Sequence, residues 1–133
     1  MRFTVDRLDH LVLHCADVDI TANWYQRVLG MDREEFGEND RTALKFGGQK
    51  INLRPVDASV RNWITSDRVV SGCADLCFIT AVRPEDVIDH LRNCGIVPVQ
   101  GPVPKTGALG PMTSVYCRDP DGNLIEIASY LAD

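Results

Sequence analysis

The second half of the chain repeats the pattern of the first. In the first half, the aliphatic, alternating run DRLDHLVLHC (Asp6–Cys15) reads as a strand. DVDITANWYQRVLGM follows. Ala22, Tyr25, Val28 and Leu29 fall there at helical spacing, Asp19 or Thr21 offers a cap, and Gly30 supplies the stop. Two weaker strands, about Met31–Gly37 and Thr42–Phe46, lead to a Gly47–Gly48 turn and to QKINLRP, a strand ended by Pro55. Then the order restarts. GCADLCFITA (Gly72–Ala81) is a strand, and RPEDVIDHLRNCG is a helix with Pro84 in its first turn and Gly95 at its end. MTSVYCRD and NLIEIAS are strands joined by the turn Asp119–Gly122. A Gly/Pro-rich segment, Gln100–Pro111, interrupts this second copy and reads as a mobile lid or an insertion.

The spacings match. His10 to Gly30 is 20 residues, as is Asp75 to Gly95; Gly48 to Asn52 is 4, as is Gly122 to Glu126. The offset between copies grows from 65 to 74, so the second carries about nine more residues, which the Gly/Pro segment accommodates. Two βαβββ modules, about 6–57 and 72–130, within a single domain 1–133 account for this most simply.

Strand alternation divides each outer strand into two faces. Leu11 and Leu13, Ile51 and Leu53, Leu76 and Phe78, and Ile125 and Ile127 form apolar faces suited to helix packing. The opposite faces carry His10, Asn52, Asp75 and Glu126 at equivalent positions, mixed with Val12, Cys77, Ile79 and Leu124. Such a mixture suits a lined pocket, although a solvated sheet face would also carry polar residues. Lys50 and Arg54 share the face of Asn52 and suit a carboxylate or phosphate on a substrate, or else are solvated strand-end charges. Tyr116 and Arg118 share one face of their strand, Tyr116 as a candidate proton donor or substrate contact. Trp24 and Trp63 read as core or interface residues. His14 lies about 13 Å along the strand from His10 and belongs to the pocket or an edge.

Composition narrows the functions. A formal charge of −5 argues against non-specific nucleic-acid binding, which needs a basic footprint. No run approaches the roughly 18 apolar residues of a membrane span, and no secretory h-region is readable, so a cytoplasmic location is expected. Five cysteines, an odd number without a CxxC pair, read as reduced thiols. Cys73 and Cys77 would lie about 13 Å apart on one strand face, which disfavours zinc there.

Three segments carry a family resemblance. LDHLVLHCADVDITANWYQRVLGM, FGGQKINLR and YCRDPDGNLIEI resemble the opening strand and helix and the two closing strands of the vicinal oxygen chelate superfamily. That group comprises glyoxalase I, fosfomycin-resistance, extradiol dioxygenase and bleomycin-resistance proteins, and the resemblance covers about residues 6–130, nearest its small glyoxalase-domain or dioxygenase-related members. It implies an α+β fold of paired βαβββ modules, with eight strands in a cupped mixed sheet, usually in a homodimer. It also implies one divalent metal ion. Carried over by position, the ligands are His10, Asp75 and Glu126, with Asn52 at the fourth position. Two positions depart from the pattern. Glyoxalase-type sites have a carboxylate where this chain has Asn52, and dioxygenase or fosfomycin-type sites have a histidine where it has Asp75. One histidine with two acids suits a hard cation such as Mn²⁺ or Mg²⁺ as well as Ni²⁺, Zn²⁺ or Fe²⁺.

The expectation is therefore a metal-dependent lyase, isomerase or dioxygenase-related enzyme acting on a small substrate with vicinal oxygens. Glu126 and Tyr116 would be its catalytic groups, and Lys50, Asn52, Arg54 and Arg118 its substrate contacts. A metal-free protein that sequesters a small molecule, as bleomycin-resistance proteins do, is the alternative.

Overall fold

A computed structural model describes residues 1–130. These form β1 (His10–Cys15), α1 (Val18–Leu29), β2 (Asp32–Phe36), β3 (Arg41–Phe46), β4 (Gln49–Pro55), β5 (Asp75–Ile79), α2 (Pro84–Asn93), β6 (Gln100–Gly107), β7 (Gly110–Arg118) and β8 (Leu124–Ser129). The order is βαβββ twice, the α+β pattern expected from the repeat. The chain divides into two units, Met1–Val70 and the part from Ser71 onward, with one module in each. No helix among the described residues is long and apolar enough to cross a membrane.

Module one is a four-stranded sheet in the order β1-β4-β3-β2. β1 runs parallel to β4, which the crossover through α1 permits, and the remaining pairs are antiparallel. Asp17, rather than Asp19 or Thr21, caps α1: its backbone is extended and its carboxylate accepts the Ile20 N–H at 2.9 Å. Such a cap contributes about 1 kcal/mol. Asp19 lies in the first turn, where its charge favours the positive end of the helix. Gly30 ends α1 with φ 66°, in the left-handed region where a side chain would be strained. Ala22, Trp24, Tyr25 and Val28 are buried on α1, which packs on β3 and β4, where Leu44, Ile51 and Leu53 are also buried. Trp24 is thus a core residue, edge-on to Tyr25 at 4.9 Å.

Module two repeats the arrangement in the order β5-β8-β7-β6, with β5 parallel to β8. α2 starts at Pro84, whose missing N–H costs nothing in a first turn, and buries Val87 and Leu91 against β7 and β8. The Gly/Pro-rich segment is neither a lid nor a loose insertion. Its residues Gln100–Gly107 are β6, paired antiparallel with β7 across a register shift between Gln100 and Val103. Prolines are tolerated here because β6 is an edge strand. At Gly101, φ is 119°, and a Cβ would come within 2.6 Å of the Ser114 carbonyl oxygen, so only glycine permits this close approach. The extra residues of the second copy lengthen this hairpin: β6 and β7 have 8 and 9 residues, against 5 and 6 in β2 and β3.

The turn Asp119–Gly122 does more than reverse the chain. The buried Asp119 carboxylate accepts the N–H groups of Asp121 and Asn123, each at 3.0 Å, and the Asn123 side-chain amide at 2.8 Å. Asn123 Oδ1 then accepts the Ala74 N–H at 2.9 Å, and the Leu124 N–H donates to the Ala74 carbonyl at 3.0 Å. The turn is bolted to the chain entering β5. That bolt fixes the register pairing Asp75 with Leu124 and Cys77 with Glu126.

Candidate functional site

The registers assign the faces directly, because paired residues point the same way. In module two the face away from α2 carries Asp75 and Cys77 from β5, Leu124, Glu126 and Ala128 from β8, and Ser114, Tyr116 and Arg118 from β7. Glu126 is central, with Cys77 beside it on one strand and Tyr116 on the other. The Ser114 hydroxyl donates to Glu126 Oε2 at 2.6 Å, a short, charge-assisted bond. Burial, followed by the hydrogen bond and charge of Glu126, pushes the Tyr116 hydroxyl up to about 12. Burial and then the Glu126 charge push the Cys77 thiol up to about 11. At neutral pH both groups keep their protons. They therefore stand protonated beside a carboxylate, and Cys77 is not an activated nucleophile. Lys105 holds its ammonium 5.8 Å from the Tyr116 ring centre. Arg118 is exposed and reaches the Gly122 carbonyl at 3.4 Å.

In module one the corresponding face carries His10, Val12 and His14 from β1 and Lys50, Asn52 and Arg54 from β4. His10 is exposed, with Nδ1 2.8 Å from the Asp9 carboxylate, and this contact holds the Asp9 carboxyl below its usual range. Lys50 places its ammonium 3.7 Å from the Phe36 ring centre, a cation–π contact. Asn52 is 7% exposed. Arg54 is not a solvated strand end: it is 0% exposed. Its guanidinium donates to the carbonyls of Pro55 at 3.4 Å and of Ala58 and Trp63 at 3.1 Å each. His14 is also buried, its Nε2 lying 3.3 Å from the Thr65 hydroxyl and 3.4 Å from that of Ser66. Trp63 stacks under Arg41 at 4.0 Å. A cavity of about 790 Å³ opens beside it, lined by Arg41, Thr42, Leu53 and Ala58 among others. His14, Asn52 and Arg54 do not line it.

Among the described residues, no group of three or more His, Cys, Asp or Glu side chains is placed to hold a metal ion. Module two brings Asp75 and Glu126 to one face of adjacent strands, but the Glu126 carboxylate already accepts the Ser114 hydroxyl. Module one offers His10, tied to Asp9, and a neutral amide at Asn52. The donors present do not make a metal centre within either module.

Ser114 was not a sequence candidate. Lying two residues before Tyr116 on the same strand, it was findable from the alternation that selected Tyr116. The loop contributions of Ala58, Trp63, Thr65 and Ser66 carry no such signal, because they depend on where the chain after β4 returns.

A family model described as Glyoxalase/Bleomycin resistance protein/Dioxygenase superfamily matches residues 7–127. The chain is 45% identical over 131 residues to the virulence protein STM3117 of Salmonella typhimurium, covering 98% of this chain and 89% of that protein. It is also 45% identical over 129 residues to the glyoxalase domain-containing protein RDO1 of Mycosarcoma maydis, covering 97% of this chain and 71% of that one. The solved structure of the integron cassette protein VCH_CASS1 from V. Cholerae superposes with a TM-score of 0.93 at 45% identity, over 98% of this chain and 100% of that chain.

Proposed function

Since the chain belongs to the Glyoxalase/Bleomycin resistance protein/Dioxygenase superfamily, we propose that it binds a small, oxygen-rich organic molecule on its polar sheet faces by hydrogen bonding, without a metal. The observation that carries this reading is the short hydrogen bond from Ser114 to Glu126 at the centre of a polar sheet face. The Ser114 hydroxyl holds one carboxylate on a sheet face, with Cys77 and Tyr116 flanking it on the neighbouring strands. A carboxylate held in this way offers its remaining lone pairs to a ligand hydroxyl. Tyr116, Lys50, Asn52, Arg54 and Arg118 are the further contacts in this reading. If the bound molecule reacts, Glu126 is the proton acceptor and Tyr116 the adjacent donor.

A second reading, a metal-dependent lyase, isomerase or dioxygenase, keeps His10, Asp75 and Glu126 as ligands. The placement of Asp75 and Glu126 on one face of neighbouring strands favours it. Elemental analysis of protein purified without chelators separates the two, repeated on Glu126→Ala. The metal-free reading expects no stoichiometric metal and no thermal shift with Mn²⁺, Ni²⁺, Zn²⁺ or Fe²⁺. One equivalent of metal, lost in Glu126→Ala, overturns it in favour of the second. The homodimer belongs to the same proposal, and light scattering on the eluting peak checks it.

A further inference from the structure

Three polar atoms of module one are buried without a hydrogen-bond partner among the described residues: His14 Nδ1, Asn52 Oδ1 and Arg54 Nε. Their residues belong to one face of the β1–β4 pair. His14 is directly opposite Arg54, and Asn52 is one step along β4, roughly 7 Å away. The exposures are 9%, 7% and 0%, so solvent does not satisfy these groups. Arg54 adds a further imbalance. Its charge is fully buried, yet no carboxylate of the described residues lies within 4.0 Å of it. The carbonyls of Pro55, Ala58 and Trp63 hold the guanidinium and supply no counter-charge. Burying a cation without an anion is strongly unfavourable, and each orphaned polar atom adds to the cost.

The three atoms have complementary chemistry. Arg54 Nε–H is a donor. The Ser66 hydroxyl donates to the Arg68 carbonyl at 3.1 Å, but the Thr65 hydroxyl can donate to His14 Nε2 and so leave the ring proton on Nδ1 as a second donor. Asn52 Oδ1 is an acceptor. Two donors beside a buried positive charge fit a carboxylate, and an acceptor next to them fits a hydroxyl on the same molecule. From this arrangement we infer that His14, Asn52 and Arg54 form a recognition site for a small hydroxycarboxylate. The carboxylate meets Arg54 Nε and His14 Nδ1, and the hydroxyl donates to Asn52 Oδ1. The inference rests on the reading above that the polar faces bind ligand, and it names the charge that module one reads. Trp63, Thr65 and Ser66 belong to the segment that covers the site, so ligand entry requires that segment to yield.

The test uses the full chain, treated with EDTA, and three probes: glycolate, lactate and mandelate, each against its amide. Calorimetry reads affinity. NMR of the imidazole nitrogens reads the site, with His14 assigned by elimination from His10→Gln and His90→Gln. The expected result is that at least one carboxylate binds roughly tenfold more tightly than its amide. It should shift the His14 ring nitrogens, the preference should vanish in His14→Phe, and Asn52→Ala, which loses the hydroxyl acceptor, should weaken acid and amide alike. The inference is overturned if none of the three carboxylates binds, if the amides bind equally well, or if the His14 signals do not move. The wild-type arms decide the matter even if a variant fails to fold. Because the protein is stripped of metal, a failure here is distinct from the recovery of a metal equivalent, which would overturn only the metal-free reading.

Discussion

Asn52 and Glu126 occupy equivalent positions on β4 and β8, and Arg54 corresponds to Ala128 two residues further along. Module one has a neutral amide at the first position and a buried cation at the second. Module two has an anion at the first and a small apolar residue, 1% exposed, at the second. The same backbone frame therefore supports opposite electrostatics, and the supporting groups come from different places. Glu126 is held by its own sheet, through the Ser114 hydroxyl, with Tyr116 and Cys77 opposite it on the flanking strands. Arg54 is held by the chain that follows its strand, through the carbonyls of Pro55, Ala58 and Trp63. A duplicated fold can thus diversify by leaving the strands alone and changing either a side chain or the segment after the last strand.

The comparison is broken most strongly at the turn that aligns module two. Asp119→Ala removes the acceptor for three donors, leaving buried N–H groups unpaired, and is expected to cost about 3 kcal/mol. Urea unfolding gives the magnitude and amide hydrogen exchange gives the location. Protection should fall across β5 and β8 and persist across β1 and β4. Equal loss in both modules would show that they unfold as one unit.

A smaller effect is expected at the carboxylate itself. Glu126→Gln removes the charge that, after burial, raises the Cys77 thiol. Alkylation of Cys77 by iodoacetamide at mildly alkaline pH should then accelerate by several-fold, read by peptide mass spectrometry. Buried Cys15 and Cys117 serve as slow references. An unchanged rate would assign the whole shift to burial.

The smallest effect is on the module one side. Burial, and then the Arg54 charge, hold the His14 pKa below its ordinary value. In the unfolded chain it returns to about 6.5. Between those two values the unfolded state binds the extra proton. The stability contribution is therefore complete above about pH 6.5 and is lost as the pH falls toward the folded value. Denaturant midpoints measured across that range should decline more in the wild type than in His14→Gln. Parallel curves would remove His14 from the account.

The sequence exposed whatever depends on period and spacing. The repeat, the apolar faces over α1 and α2, and the placing of Glu126 and Asp75 at equivalent polar-face positions all follow from spacing and alternation along strands, which local residues dictate. It concealed whatever depends on the chain returning from elsewhere. Arg54 reads as a strand-end charge because nothing local announces that Trp63 will cover it. β6 reads as a loop because Pro102, Pro104 and its glycines are poor strand formers, and pairing with β7 overrides that preference. The metal set His10, Asp75 and Glu126 followed from family position, whereas the contacts of His10 with Asp9 and of Glu126 with Ser114 carried no sequence signal.

The two prolines of β6 have one more consequence. A sheet edge is adhesive because it offers a row of unsatisfied N–H and C=O groups to any passing strand. At Pro102 and Pro104 that row has gaps, since neither residue has an N–H to offer. On the other sheet, β2 reads DREEF, and its acidic residues would repel a strand of like charge. Each module thus blunts one outer edge with a different residue chemistry. β6 is thereby a poor template for continuing the sheet from one molecule into the next.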